Sequence, residues 1–343
     1  MLSGAMTRAR HYIPVLAAAI ALTFSACSDT SSSLERTSDH IPRAADGARW
    51  RTGSRGDPVL VGAGDIARCY PADNPTAITP PALTAAESTA ALLDDIDGTV
   101  MAVGDNAYEL GSPADYALCY EPTWGRHKDR TKPAAGNHEY LTPGAAGYFG
   151  YFGPQAAPPG GYYSYDLGTW HVIVLNSTPQ WAGCQPPKTS PEDGRTCVGD
   201  PAQRLWLAAD LAAHHQRCTL AYFHHPRYSS GLHGSQYEMQ QFWDILYAGN
   251  VDVVISGHDH LYERFAPQDA VGHVDARRGI RQFTVGTGGA ELYPFTTVIP
   301  NSEVRINSTH GVLAVGLGAR RYEWVFVSTA GSKVLDSGRG GCH

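Results

Sequence analysis

Five short polar motifs punctuate the chain, each following a run of small or apolar residues. They are "GDIA" at Asp65, "GDNAY" at Asp105 and Tyr108, "GNHE" at Asn137 and His138, "HHP" at His224 and His225, and "GHDH" at His258 and His260. Their side chains offer oxygen and nitrogen donors and no thiolate, a set suited to Fe, Zn or Mn rather than to a soft metal. An aspartate can bridge two ions, which lie ~3.5–4 Å apart in hydrolytic sites. Histidines at i and i+2, such as His258 and His260, face one way on a strand and can straddle two ions on a turn. Taken singly, each motif is an ordinary cap or turn. As an ordered set of five, they describe a metal centre. Tyr108, three residues after Asp105, is either a packing aromatic or a phenolate ligand.

The elements that must hold these motifs begin near Pro58. "PVLVGAGDIA", "GTVMAVGDNAY", "RTKPAAGNHEY", "CTLAYFHHP" and "VDVVISGHDHLYERF" read as strands that each end in a motif. "YYSYDLGTWHVIVLNS" reads as two strands joined at Gly168. "LTAAESTAALLDDI", "DPAQRLWLAADLAAHH" and "SQYEMQQFWDILYAGN" read as helices, the second with Asp200 as cap and Pro201 in its first turn. The last stretch is strand-rich. Early βαβ units with added strands predict a single α/β domain, sheets flanked by helices. In open α/β sheets, sites form at the carboxyl ends of strands. Where glycine precedes the polar residue, as in four of the five motifs, it lets the backbone approach a ligand. "VGTGGAE" lacks the Gly-Lys-Ser ending of a phosphate loop and reads as a strand-end turn bordering the site. The aromatics of "GYFGYFGPQ" read as loop packing near the entrance. His127, His171, His214, His215, His273 and His310 carry no motif and read as surface or packing residues.

The N-terminus reads as a secretory signal over residues 1–26: Arg8 and Arg10, a short apolar run, then small residues. Cys27 follows Ser25-Ala26, as the lipidated cysteine of a bacterial lipobox does, although Phe24 stands where leucine is usual. Residues 27–57 lack apolar periodicity and read as a tether, which leaves 58–343 as the catalytic domain. With Cys27 lipidated, six of the seven cysteines remain: Cys69, Cys119, Cys184, Cys197, Cys218 and Cys342. They can form three disulfides in an oxidising compartment. The expected pairs are Cys184–Cys197, Cys69–Cys119 and Cys218–Cys342. No CxxC spacing supports a zinc site. The expected location is extracytoplasmic, as a bacterial surface lipoprotein or a secreted protein. A formal charge of −7 argues against a nucleic-acid surface, and membrane contact is expected only through the lipid anchor.

In this order, over about Val59 to Arg264, the motifs resemble those of the calcineurin-like metallophosphoesterase superfamily. That resemblance implies a four-layer α/β/β/α sandwich of two mixed β-sheets flanked by helices. The superfamily's first motif is usually Asp-x-His, the histidine being a ligand; here it is Asp65-Ile66-Ala67. The branch that is similar in this respect is the purple acid phosphatases, where a tyrosine three after the bridging aspartate supplies the donor. The resemblance then implies Asp65, Tyr108 and His260 on one metal and Asn137, His224 and His258 on the other, with Asp105 bridging. It implies Fe(III) paired with Zn, Mn or Fe(II). His138 would contact the phosphoryl group, His233 would contact substrate or donate a proton, and either histidine can give the leaving group its proton. His225 would be structural, and Tyr262, Glu263 and Arg264 would support the ligands. The implied reaction is in-line attack on a phosphate monoester by a metal-activated water. Phosphodiester or phospholipase-type cleavage on the same site is the alternative, and a non-catalytic lipid-anchored binding protein ranks below both. Plant enzymes of this branch carry an N-terminal β-sandwich, for which there is no room before Val59.

Overall fold

The computed structural model describes residues 52–54, 56–70, 78–80, 84–178 and 201–343. Along the chain the strands are β1 (Val59–Ala63), β2 (Thr99–Val103), β3 (Thr131–Ala134), β4 (Tyr163–Leu167), β5 (Trp170–Val174), β6 (Cys218–Tyr222) and β7 (Val253–Ser256). They continue as β8 (Tyr262–Phe265), β9 (Arg281–Val285), β10 (Ser302–Ile306), β11 (Gly311–Gly318), β12 (Arg321–Ser328) and β13 (Lys333–Gly341). One sheet runs β13-β12-β11-β1-β2-β3 and the other β10-β8-β9-β7-β6-β5-β4. Both are mixed. β1, β2 and β3 pair in parallel, as do β5, β6, β7 and β9, while the remaining strands pair antiparallel.

Period-two alternation explains the layers. On β5 and β6, Trp170, Val172, Val174, Leu220 and Tyr222 enter the main core shared with the first sheet. The intervening Ile173, Ala221 and then Phe223 face a second core with Leu207, Phe242, Trp243 and Leu246. Those last residues belong to the helices Pro201–Ala213 and Gln240–Ala248. A strand buried on both faces reads as a continuous apolar run, as these do. The helix Ala85–Asp94 is capped by Thr84, whose side chain accepts the Glu87 N–H, and it buries Ala86, Ala90, Leu92 and Leu93 in the main core.

Several expectations need adjustment. β10 and β13 were not legible: both are sheet edges whose residues alternate exposed and half-buried, with no apolar run to mark them. "GYFGYFGPQ" is helical, not a loop. Its helix Ala146–Phe152 stacks Tyr151 on Tyr116 and sets Phe152 edge-on to Tyr120. The folded part also starts before Pro58, since Thr52 is buried and the Gly53 N–H donates to Glu323. His171 is a packing residue. It is buried between Asp166 and Asp210, and its ring stacks on His214 at 3.9 Å. Disulfides join Cys69–Cys119 and Cys218–Cys342, as expected. The signal, most of the tether, Cys27, Cys184, Cys197 and the Asp200 cap lie outside the described residues. No helix among the described residues is long and apolar enough to cross a membrane.

One polar cluster locks the two sheets together. Asp336 on β13 accepts from Tyr262 Oη at 2.6 Å and Arg264 Nε at 2.8 Å, both on β8, and from Trp324 Nε1 at 3.1 Å on β12. Removing one partner of a buried charged network leaves the others unpaired. We therefore expect Asp336→Ala to lower stability by roughly 3–5 kcal/mol in denaturant unfolding. A loss within error would remove the cluster from this role.

Candidate metal centre

All five motifs sit just past parallel strands, and the strand pairing continues into them. Beyond β1 and β2, the N–H groups of Asp65, Ile66 and Ala67 donate to Gly104, Asp105 and Asn106, and the Tyr108 N–H donates back to Ala67. "GDIA" and "GDNAY" therefore lie zipped side by side. The first sheet brings Asp65 from β1, Asp105 and Tyr108 from β2 and Asn137 from β3. The second sheet brings His224 from β6 and His258 and His260 from β7. Thus the first sheet supplies the oxygen donors and the second the imidazoles.

These side chains fall into two groups that share Asp105. In one, Tyr108 Oη lies 3.0 Å from Asp65 Oδ1, 3.1 Å from Asp105 Oδ2 and 3.1 Å from His260 Nε2. In the other, ligand atoms of Asp105, His224 and His258 lie within 4.8 Å of one another, a group able to hold a metal ion. His224 Nδ1 bonds the Val103 carbonyl and His260 Nδ1 the Glu291 carbonyl, which turns each Nε2 toward the cluster. Each aspartate divides its oxygens. Asp105 Oδ1 accepts the His138 N–H and Asp65 Oδ2 accepts the His258 N–H, both at 2.9 Å, so Asp105 Oδ2 and Asp65 Oδ1 face inward.

The arrangement fits cations. His224 Nε2 lies 3.2 Å from Asp105 Oδ2, yet it has no aligned hydrogen-bond partner, and Asn137 Oδ1 is likewise buried without one. The Tyr108 hydroxyl has one proton for three acceptors. Electrostatics agree. Burial resists charging His224, but the Asp105 and Asp65 carboxylates push it up to about 10. Burial would raise the Asp105 carboxyl, but His224 and then His138 outweigh it and hold it well below the usual range. Burial, then Asp105 and Asp65, push the Tyr108 phenol far up, so a phenolate there needs a neighbouring cation. Burial and the neighbouring imidazoles His225 and His224 push His258 well down, which keeps it a neutral donor.

The backbone is bent to make this contact. Asp65, Asp105 and His258 have φ of +60°, +48° and +69°. Such conformations cost roughly 1–3 kcal/mol each and persist where the surroundings enforce them. Gly104, at φ +81°, lies under the His224 ring, where an added Cβ would come within 2.6 Å of Nδ1. At Gly136 a Cβ would come within 2.2 Å of Asp105 Oδ1.

His138 lies on the open side, with its side chain 24% exposed and Nε2 3.9 Å from Asp105 Oδ2. The His233 ring lies 4.4 Å from that of His258 at 27°. His225 is fully enclosed and bonds Ser177; burial, then His224, push it down to about 3. Tyr262 and Arg264 bond Asp336 rather than any ligand, whereas Glu263 accepts the Ser230 N–H and the Ser302 hydroxyl. "VGTGGAE" does border the site: Gly288 N–H donates to Gly64 and Ala290 N–H to Asp65.

Glu139 and Tyr293 are among the residues that sequence reasoning missed. Glu139, the last letter of "GNHE", is a buried carboxylate that accepts from the N–H groups of Gly136, Asp105 and Asn106 and from Tyr116 Oη. It fastens one motif to another, and its place inside a motif was the available signal. Tyr293 stacks on His260 at 3.9 Å and 11°, from a loop with no sequence signal.

With the geometry in place, the family follows. The calcineurin-like phosphoesterase family model matches residues 82–262, just over half of the chain, and the chain belongs to that family. Over 142 residues it is 28% identical to an acid phosphatase of Aspergillus ficuum, across 33% of this chain and 23% of that protein. The chain thus spans about a quarter of the length of that relative. Among solved structures it is similar to a purple acid phosphatase from yellow lupin (Lupinus luteus) seeds, with TM-score 0.58 and 20% identity over 86% of this chain and 55% of that one. It is also similar to GAP50, the anchor in the inner membrane complex of Plasmodium, with TM-score 0.58 and 15% identity over 84% and 89%. A dimetal phosphatase from Danio rerio gives TM-score 0.52 and 13% identity over 83% and 99%. These likenesses establish the four-layer fold.

Metal content tests the two groups separately. We expect two metal ions per chain, and chelation should lower the Tm, since saturating ligand at a hundred times Kd stabilises by about 2.7 kcal/mol. Asp105→Asn should deplete both positions in elemental analysis, whereas Tyr108→Phe should deplete or recolour one only. Unchanged content in Asp105→Asn would dismiss its shared position.

Proposed function

We propose that the chain is a dimetal phosphatase of the purple acid phosphatase type, acting on phosphate monoesters outside the cytoplasm. The observation that carries this reading is the inward set of oxygen and imidazole donors meeting at Asp105, with His224 Nε2 3.2 Å from its Oδ2 and Asn137 Oδ1 buried without a hydrogen-bond partner. Asp65, Tyr108 and His260 would hold one ion and Asn137, His224 and His258 the other, with Asp105 between them. Bound there, the ions would neutralise phosphoryl oxygens and activate a water. Fe(III) with Zn, Mn or Fe(II) suits a site of one phenolate, carboxylates and imidazoles.

The chain's own residues do the rest. His138 Nδ1 donates to the Glu109 carbonyl at 2.6 Å, which turns Nε2 toward the open face of the centre to meet a phosphoryl oxygen. His233, exposed beside His258, can protonate the departing alkoxide. Glu139 keeps the Asp105 and Asn137 loops in register so that neither group must reorganise during reaction.

One observation favours diesters as a second reading. Arg68, a cation at this rim among the described residues, is already held between Glu109 and Glu291, so it adds little attraction for the second charge of a monoester. Metal-loaded protein should therefore be assayed on p-nitrophenyl phosphate and on its bis ester across acid to alkaline pH. We expect the monoester to be preferred and His138→Ala to lower kcat/KM by about a hundredfold, the scale of a positioned acid–base or transition-state contact. Preference for the bis ester selects the second reading. No turnover of either substrate by fully loaded protein rejects both.

The two disulfides fit an oxidising compartment. Our reading of residues 1–27 is a signal ending at a lipidated Cys27. Cys27→Ser should move the protein from the membrane fraction to the soluble extracytoplasmic fraction, and retention at the membrane would reject lipidation.

A further inference from the structure

Between β6 and the helix Gln240–Ala248, a long stretch carries His233 across the centre with only a single short turn, Tyr237–Met239, near its end. A segment of that length needs specific support to present one side chain reproducibly. The support comes from buried side chains of the second sheet. Gln282 on β9 pairs with the backbone of Tyr228, accepting its N–H at 3.1 Å and donating to its carbonyl at 2.5 Å. Glu263 on β8 accepts the Ser230 N–H at 2.8 Å. Beyond Ser230, one further carboxylate holds the segment, and it is Asp259, the residue between His258 and His260.

Asp259 is fully buried. Its Oδ1 accepts the His233 N–H at 2.8 Å, and its Oδ2 accepts the Ser229 hydroxyl in a short contact. Ser229 Oγ in turn accepts the Gly231 N–H at 3.0 Å. The backbone closes tightly on this carboxylate: a Cβ on Gly231 would lie 2.4 Å from Asp259 Cγ. The His233 ring is left exposed but nearly parallel to His258, and 5.5 Å from Tyr293. A carboxylate carried on the same turn as two donor histidines thus sets the backbone of the histidine that overhangs them.

We propose that Asp259 is the positioning residue for His233: it fixes that imidazole relative to the turn that carries His258 and His260, so proton donor and donor histidines keep one geometry. This rests on the role given to His233 above. Ser229 is the second member of the device, because its hydroxyl links the carboxylate to Gly231. Proton donation matters most when the leaving group is poor, so the device should be visible as a dependence on leaving group.

The test uses metal-loaded full chain. In Asp259→Ala we expect two metals per chain, kcat on a simple alkyl phosphate lower by at least tenfold, and kcat on p-nitrophenyl phosphate changed by less than threefold. His233→Ala should lose more on the alkyl phosphate than on p-nitrophenyl phosphate, and the double variant should be no slower than His233→Ala alone. Asp259→Asn, which keeps one acceptor oxygen, should recover part of the loss. Hydrogen exchange supplies a readout apart from activity: the 229–235 segment should exchange faster in Asp259→Ala while 258–260 keeps its protection. Ser229→Ala, which preserves the buried charge, should give a weaker form of the same pattern, and it decides the matter if Asp259→Ala does not fold. Loss of a metal, equal loss on both esters, a double variant slowed by the product of the single effects, or an unchanged Ser229→Ala would each overturn the proposal. A wild-type chain that turns over neither ester would instead reject the phosphatase reading, and the exchange measurement would still judge the hold of Asp259 on His233.

Discussion

Two carboxylates, Asp65 and Asp105, are buried within reach of one phenol, and the arrangement of the centre answers that concentration of charge. Removing an ion from water costs several kcal/mol even after relaxation. Each aspartate recovers part of this by accepting a backbone N–H from a neighbouring motif, and each keeps one oxygen in reserve. Without cations, the compensation falls on His224 as a proton drawn onto its ring. Bound as proposed, a pair of metal ions would meet the same demand, with Asn137 Oδ1 and the acceptors around Tyr108 Oη left for them.

The same demand accounts for the local backbone. Carboxylates that must turn inward at the end of parallel strands cannot do so in extended geometry, and Asp65 and Asp105 are left-handed. Glycines stand nearby because the donors crowd against the backbone, not only because the chain turns. Glu139 carries a share of the load as well. Burial and the nearby Asp105 raise its carboxyl, yet three N–H donors keep it useful as a splice between loops. A splice of this kind preorganises the centre before any substrate arrives.

Much of this was legible in the chain. Runs of small or apolar residues closed by polar motifs identified β1, β2, β3, β6 and β7, because strands buried on both faces cannot avoid such runs. Ala67 at the usual histidine position drew attention to Tyr108, and the two prove to be neighbours through the Ala67 carbonyl. The edge strands β10 and β13 were illegible because one-sided burial leaves polar alternation that resembles loop. The resemblance implies Tyr262 and Arg264 as supports of the ligands, whereas their partner Asp336 lies 72 residues or more away in sequence. Long-range pairing of that sort has no local signature. Tyr293 and Asp259 escaped for the same reason, since a stacking aromatic or a buried carboxylate is recognised by what it touches.

The division of donors between the sheets has a consequence for metal choice. Before the sheets dock, the first offers oxygens alone, a set for Mg, Ca or Mn, and the second offers imidazoles alone, a set for Zn, Cu or Ni. Neither half has the mixed preference of the assembled centre. With the ligands as proposed, discrimination among metals would be a property of tertiary assembly: a chain that captured an ion too early would select it by the wrong rules.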